Sequence, residues 1–390
     1  MSRGLLERIG SLYLGRPRSR LHHTDALDGL RGLAVLIVIG SHLSNSGLLP
    51  QPGLAGTGKA GVYLFFVLSA YLLARMLLER TPRQLSSVRL WADYLFRRVL
   101  RIWPLYLVVL LSAWCLTTQG VPWHYRIDSA ALVQHLLLRE GYSVLWSIPV
   151  EFVFYFWLPP LVLAMAWLGA RAPAWLQAGF WLALVGLAIR FWPPASAAVN
   201  DVRLGPYLPV FLCGVGAAWL DRGLKGRTVP PAIWGLAGAL GALGCVVMVP
   251  SVWALLSGQP FDRGVSHAWF LAHGLCWSLV LLAALHGPAW PRRLLASRPL
   301  RLVGVVSFSA YLWHMPVLET VKRLAGEGAG IGAAAAVLAG TVAVSMLSFL
   351  LLERPWRELH LPRGGAGRAL QPLPEAATRP ARQEEGDPGR

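Results

Sequence analysis

A few residues able to do acid–base or electrostatic chemistry are set in or at the edge of apolar runs, where a charge is costly. Arg31 and His42 stand in LDGLRGLAVLIVIGSHLSNSG, residues 27–47. At about 100° per residue, eleven positions bring them within about 20° of one helix face, roughly 16 Å apart along its axis. A guanidinium there can hold an anion, and an imidazole can move a proton near neutral pH. Arg98 and Arg101 in FRRVLRIWPLY, residues 96–106, lie one turn apart, a spacing that suits a phosphate or pyrophosphate and equally suits anchoring at a membrane edge. Glu151 falls about two turns into LWSIPVEFVFYFW, residues 145–157, where a carboxylate needs a partner; His42, expected at similar depth, is the natural one. Ser69 in GVYLFFVLSAYLL, residues 61–73, reads first as a serine bonded back to its own helix. Tyr311 and His314 share a face of SFSAYLWHMPV, residues 307–317. Pro104 costs little if its helix starts just before it. His22, His23, His124, His267 and His360 fall in loops or near ends and receive no role.

The elements that must carry these residues are membrane helices. Of 390 residues, 55% are hydrophobic and 14% charged, and the mean hydropathy is +0.50; a soluble chain carries about 25% charged residues. Apolar runs of spanning length recur at roughly 28–48, 60–78, 98–118, 144–168, 175–193, 204–220, 231–250, 267–286, 302–320 and 331–352. Ten-residue alternating segments, the mark of a membrane barrel, do not appear. The expected fold is all-α, a polytopic membrane helix bundle of about ten transmembrane helices. It divides into a basic arm over 1–23, a membrane domain over 24–355, and a tail over 356–390, largely disordered by its Pro, Gly, Arg and Glu content. The first apolar run follows a basic arm and lacks a small-residue cleavage site, so it does not read as a signal peptide. Cys115, Cys213, Cys245 and Cys276 all lie in apolar runs without metal-type spacing, so neither a disulfide framework nor a metal site is expected.

The net charge of +17 would by itself admit nucleic acid as a partner, but its distribution excludes that reading. With sides alternated from the N-terminus, one side of the membrane receives 27 Lys and Arg and the other seven. The positive-inside rule then puts both termini in the cytoplasm. The excess basic charge also suits lipid head groups or a phosphate-bearing cytosolic ligand.

Taken together, the motifs resemble the acyltransferase-3 family of membrane-bound acyltransferases over about residues 24–355. The arginine and histidine of the first span are Arg31 and His42. The family's FFxxSG appears as FFVLSA, 65–70; RxxR as RVLR, 98–101; WSxxxE as WSIPVE, 146–151; the late SxYLxH element as SAYLWH, 309–314; and the closing E-x-P as Glu353 to Pro355. Ala70 stands where the family has glycine, which implies a slightly smaller pocket. No extracytoplasmic hydrolase-like domain follows, which implies a stand-alone transferase.

The resemblance implies a multi-pass protein of the bacterial cytoplasmic (inner) membrane. It moves an acyl group, acetyl first among the candidates, from cytosolic acyl-CoA to a hydroxyl of a carbohydrate-containing acceptor, a surface polysaccharide or glycolipid. Arg31, Arg98 and Arg101 would hold the donor. His42 would act as general base, with Glu151 orienting it, and Ser69, Tyr311 or His314 would contact substrate or oxyanion. An acyl-enzyme on Ser69 is less favoured, since no adjacent base is visible. A small metabolite such as a macrolide sugar is an alternative acceptor. A transporter or permease is the non-enzymatic alternative, which would favour paired repeats that do not appear.

Overall fold

The computed structural model describes residues 13–14, 23–326, 330–357 and 359; most of the expected arm and tail, with His22 and His360, lies outside them. The described residues form helices and no strand. The main ones are α1 (His23–Asn45), α2 (Gly58–Leu78), α3 (Val88–Thr118), α4 (Ser147–Arg171), α5 (Ala174–Phe191), α6 (Leu208–Gly223), α7 (Pro231–Val247), α8 (Phe270–His286), α9 (Arg298–Val305), α10 (Ser307–Ala325) and α11 (Ile331–Ser348). Each expected apolar run falls on one of them except 302–320, which is split between α9 and α10. Among the described residues six helices are long and apolar enough to cross a membrane, or up to nine if each of three bent pairs is one span. The bends are 82° after α7, 104° after α8 and 79° between α9 and α10. They follow the punctuation of the chain: Pro250 opens the short helix after α7, and Gly287-Pro288 ends α8. At 16 residues α6 is shorter than a usual span.

α2 is the centre of the bundle, with Tyr63, Leu64, Val67, Leu68, Tyr71 and Ala74 wholly enclosed. It packs on α1, α6, α8 and α4. α5 and α7 lie outside and expose Leu182, Leu187, Leu236 and Leu240, as expected of surfaces that face lipid. α1 and α9 approach to backbone contact: a Cβ on Gly32 would collide with the Leu300 carbonyl, and one on Gly304 with that of Asp28. The Asp25–Arg301 ion pair, 2.7 Å, closes the same seam.

Two sequence expectations change here. α3 starts ten residues before the apolar run it contains, so at 31 residues it is about 46 Å long and overshoots the hydrocarbon. Arg98 and Arg101 therefore lie about three turns inside it. Pro104 is likewise interior, and its missing N–H leaves the Leu100 carbonyl without a helical donor. Two other interior prolines have their freed carbonyls taken up from outside. Pro159 frees the Tyr155 carbonyl, which accepts from the Tyr94 hydroxyl at 3.2 Å. Pro316 frees the Leu312 carbonyl, which accepts from the Tyr125 hydroxyl at 2.7 Å. Ala70 is the second change. It is wholly buried against Gly214 of α6 and lines neither cavity described below. The methyl that replaces glycine on α2 is matched by a glycine on the facing helix, so it bears on helix packing and leaves the pocket size alone.

Candidate active site

Helices α1, α2, α3 and α4 and the residues after α11 enclose a cavity of about 260 Å³. Five arginines line it: Arg31, Arg97, Arg98, Arg101 and Arg357, with Ser69, Tyr155 and Trp356 among their neighbours. Arg97 is paired with Asp93 at 2.8 Å, and Arg357 with the buried Glu353 at 2.9 Å. Arg31, Arg98 and Arg101 make no ion pair among the described residues. Arg98 lies over the Tyr155 ring at 5.9 Å, and its Nε is buried without a hydrogen-bond partner. Unpaired guanidiniums facing one cavity repel one another, and a polyanion between them removes that repulsion while taking their N–H donors.

A second, narrower cavity of about 40 Å³ shares Arg31, Arg101 and Tyr155 with the first. It runs past Glu151, Val62, Phe65 and Ile148 to Ser147, Ser307 and Tyr311. Apolar side chains (Val62, Phe65, Phe66, Ile102, Ile148 and Phe308) alternate in its walls with charged and hydroxyl-bearing ones. Glu151 Oε1 accepts from Ser69 Oγ at 2.6 Å and from the Tyr155 hydroxyl at 2.7 Å, and its charge interacts with Arg31. One turn back, at the start of α4, Ser147 donates to the Tyr311 hydroxyl at 2.9 Å, and Tyr311 donates to the Val144 carbonyl at 2.6 Å. The hydroxyls of Ser69 and Tyr311 thus donate to protein acceptors here, Glu151 and the Val144 carbonyl.

His42 lies beyond the end of this passage. Its ring packs on that of His314, centroids 5.2 Å apart, and His314 is one turn along α10 from Tyr311. His42 and Glu151 share neither a hydrogen bond nor an ion pair among the described residues, and His42 lines neither cavity. The direct pairing expected from sequence is not formed: Glu151 is bonded to Ser69 and Tyr155 beside Arg31, and His42 packs on His314. α1 ends at Asn45, three residues short of the apolar run, so His42 is closer to the helix end than its position in the run implied.

The structure adds groups that sequence reading passed over. Tyr155 sits at i+4 from Glu151, a spacing legible as one helix face. Arg97 adjoins the expected pair, with Asp93 four residues before it. Glu353, read as a helix terminus, is turned inward by a widened helical turn over Phe349–Glu353, accepts from Ser309, and fixes Arg357; no linear spacing announces that. His124 stands in the connection after α3, bonded to Ser143 at 2.9 Å and close enough to interact with both His42 and His314. Burial pushes its imidazole below the usual range, against the pull of Glu319. Among the described residues no group of three His, Cys, Asp or Glu is placed to hold a metal.

Comparison with known proteins places this geometry. The chain is 24% identical over 364 residues to the peptidoglycan O-acetyltransferase OatA of Listeria monocytogenes, covering 86% of this chain and 56% of that one. It is 25% identical over 324 residues to YrhL of Bacillus subtilis, provisionally named a peptidoglycan O-acetyltransferase, covering 76% and 49%. The chain thus spans about half the length of the curated relatives it matches. No solved structure matches it. A family model described as an acyltransferase domain matches residues 24–350, nearly the whole membrane bundle and all but the last of the motifs on which the resemblance rests, and the chain belongs to that acyltransferase family.

Proposed function

We propose that this protein is an integral-membrane O-acyltransferase. It moves an acetyl group from cytosolic acetyl-CoA to a hydroxyl of a cell-wall polysaccharide at the bacterial inner membrane. The observation that carries the reading is the 260 Å³ cavity with its five arginines, three of them without an ion pair among the described residues, beside a smaller cavity that reaches Tyr311, whose ring adjoins His314 and, past it, His42. The charge asymmetry of 27 to seven supports ten spans with both termini and the arginine end in the cytosol, where a CoA donor is found. The acceptor class is supported by the names of the relatives.

Each residue then has a physical task. Arg31, Arg98 and Arg101, with Arg97 and Arg357, hold the donor phosphates. The pantetheine arm, about as long as four extended residues or roughly 14 Å, enters the passage and brings the thioester toward His42. His42 takes the proton of the acceptor hydroxyl as its oxygen attacks the thioester carbonyl; the C–S bond breaks and the thiolate leaves protonated. Such base catalysis contributes about 10²- to 10⁴-fold. Glu151 holds Ser69 and Tyr155 as the wall of the passage and balances the charge of Arg31.

The test is free thiol release from acetyl-CoA by purified, membrane-reconstituted protein, with and without a peptidoglycan fragment. Acceptor-dependent thiol release with matching ester formation is expected. Intact thioester in every condition, from protein shown to bind the donor, removes the reading.

A further inference from the structure

His42 needs something to hold its ring. Glu151 makes no hydrogen bond to it among the described residues, whereas His314 packs its ring against it. The two rings are 5.2 Å apart at 45°, and His314 is wholly buried. Its Nδ1 lies 2.7 Å from the Tyr311 carbonyl oxygen and 3.2 Å from that of Ala310. Carbonyl oxygens only accept, so Nδ1 carries the hydrogen, and the neutral ring presents Nε2 as a bare lone pair; the tautomer follows from these partners. Nε2 is itself buried and without a hydrogen-bond partner among the described residues. A buried acceptor left unpaired is costly, and a lone pair cannot donate to an oxyanion. What it can do is receive an N–H.

We propose that His314 is the positioning residue of His42, resting on the reading that His42 is the general base. The two rings, in contact here without a hydrogen bond, turn toward each other when substrate binds, and Nε2 of His314 then receives the N–H of one His42 nitrogen. This fixes the tautomer and tilt of the His42 ring and leaves its second nitrogen as a lone pair for the acceptor hydroxyl. The proton of that hydroxyl passes to His42, the new C–O bond forms, the C–S bond breaks, and the thiolate takes the proton back. No proton passes to His314; its hydrogen bond strengthens while His42 is cationic. The arrangement does with two neutral imidazoles what an imidazole–carboxylate pair does elsewhere, and it places no isolated anion at this depth of the bundle, where one is expensive. The backbone holds the orienting ring in turn, because His314 is bonded one helical turn back on α10. That stretch of helix is tied to the chain beside His124 through the Tyr125–Leu312 bond.

The variants His314→Leu and His314→Gln separate positioning from packing. Leucine fills the space without an acceptor; glutamine offers a carbonyl oxygen at similar reach. Both should bind CoA as the parent does. His314→Leu should lower kcat roughly 10²-fold with little change in donor KM, and His314→Gln should recover about tenfold of that. In a His42→Ala background His314→Leu should cost nothing further, because the two act as one unit. Equal rates for Leu, Gln and parent overturn the proposal, and so does a full Leu penalty that persists without His42. If the leucine variant does not fold, glutamine alone with the His42→Ala cycle decides the matter. An inactive parent protein would instead sink the proposed function, and an active His42→Ala protein the assignment of the base.

Discussion

In the proposed reading His42 serves the chemistry and the arginines the donor, and single substitutions separate the two tasks. His42→Ala removes the base and leaves the cavity intact, so acetyl transfer should fall by 10²-fold or more while CoA binding holds; the check is kcat beside a direct binding titration. Arg357 is held in the cavity wall by a buried carboxylate, so Glu353→Gln should loosen it and raise the donor KM by roughly tenfold with kcat little changed, about what one charge-assisted hydrogen bond supplies. Steady-state kinetics with acetyl-CoA as the varied substrate reads that split. Arg31, Arg98 and Arg101 were legible in the sequence because a cation in an apolar run is costly and needs a reason, and helical spacing says which cations share a face. Glu151 and His42 were legible as residues and not as a pair. Spacing gives angle about one helix, while the relative depth of two helices depends on where each begins, and α1 and α4 begin and end differently from the apolar runs they contain. Arg357 was not legible at all, since it enters the site only through the widened turn that precedes it.

The helices are positioned by bonds that repair their own prolines. The Tyr125 hydroxyl occupies the carbonyl that Pro316 frees on α10, so Tyr125→Phe should leave a buried acceptor unpaired and destabilise the protein by about 1–3 kcal/mol. In a Pro316→Ala background the new N–H can take the Leu312 carbonyl, and the same Tyr125→Phe change should cost under half as much. Thermal melts of the four proteins in one detergent complete that cycle. The all-helical class and the order of the apolar runs were readable from hydropathy, the breaks within three of them were not, and the proline positions were visible as well. The hydroxyls that answer those prolines were not, because Tyr125 and Tyr94 lie 187 and 61 residues from the carbonyls they satisfy. The Ala70–Gly214 contact was hidden for the same reason: one residue of the pair reads as a departure until its partner on α6 is known.

At the scale of the molecule, the proposed orientation rests on charge. Ser86 and Gln259 are both exposed, and the charge count assigns their loops to opposite sides of the membrane. With the native cysteines replaced, Ser86→Cys should react with an impermeant maleimide only from the cytosolic side, and Gln259→Cys only from outside. The reverse pattern would point the arginine cavity away from the compartment that holds CoA. The most direct test of the whole account is the affinity of this cavity for CoA and for pantetheine, measured by titration on the parent protein and on Arg98→Gln/Arg101→Gln. The account predicts that the double change weakens CoA binding at least tenfold, from charge-assisted bonds worth about 1.5–3 kcal/mol each, and leaves the phosphate-free pantetheine unaffected. Unchanged CoA affinity in a folded double variant would contradict it.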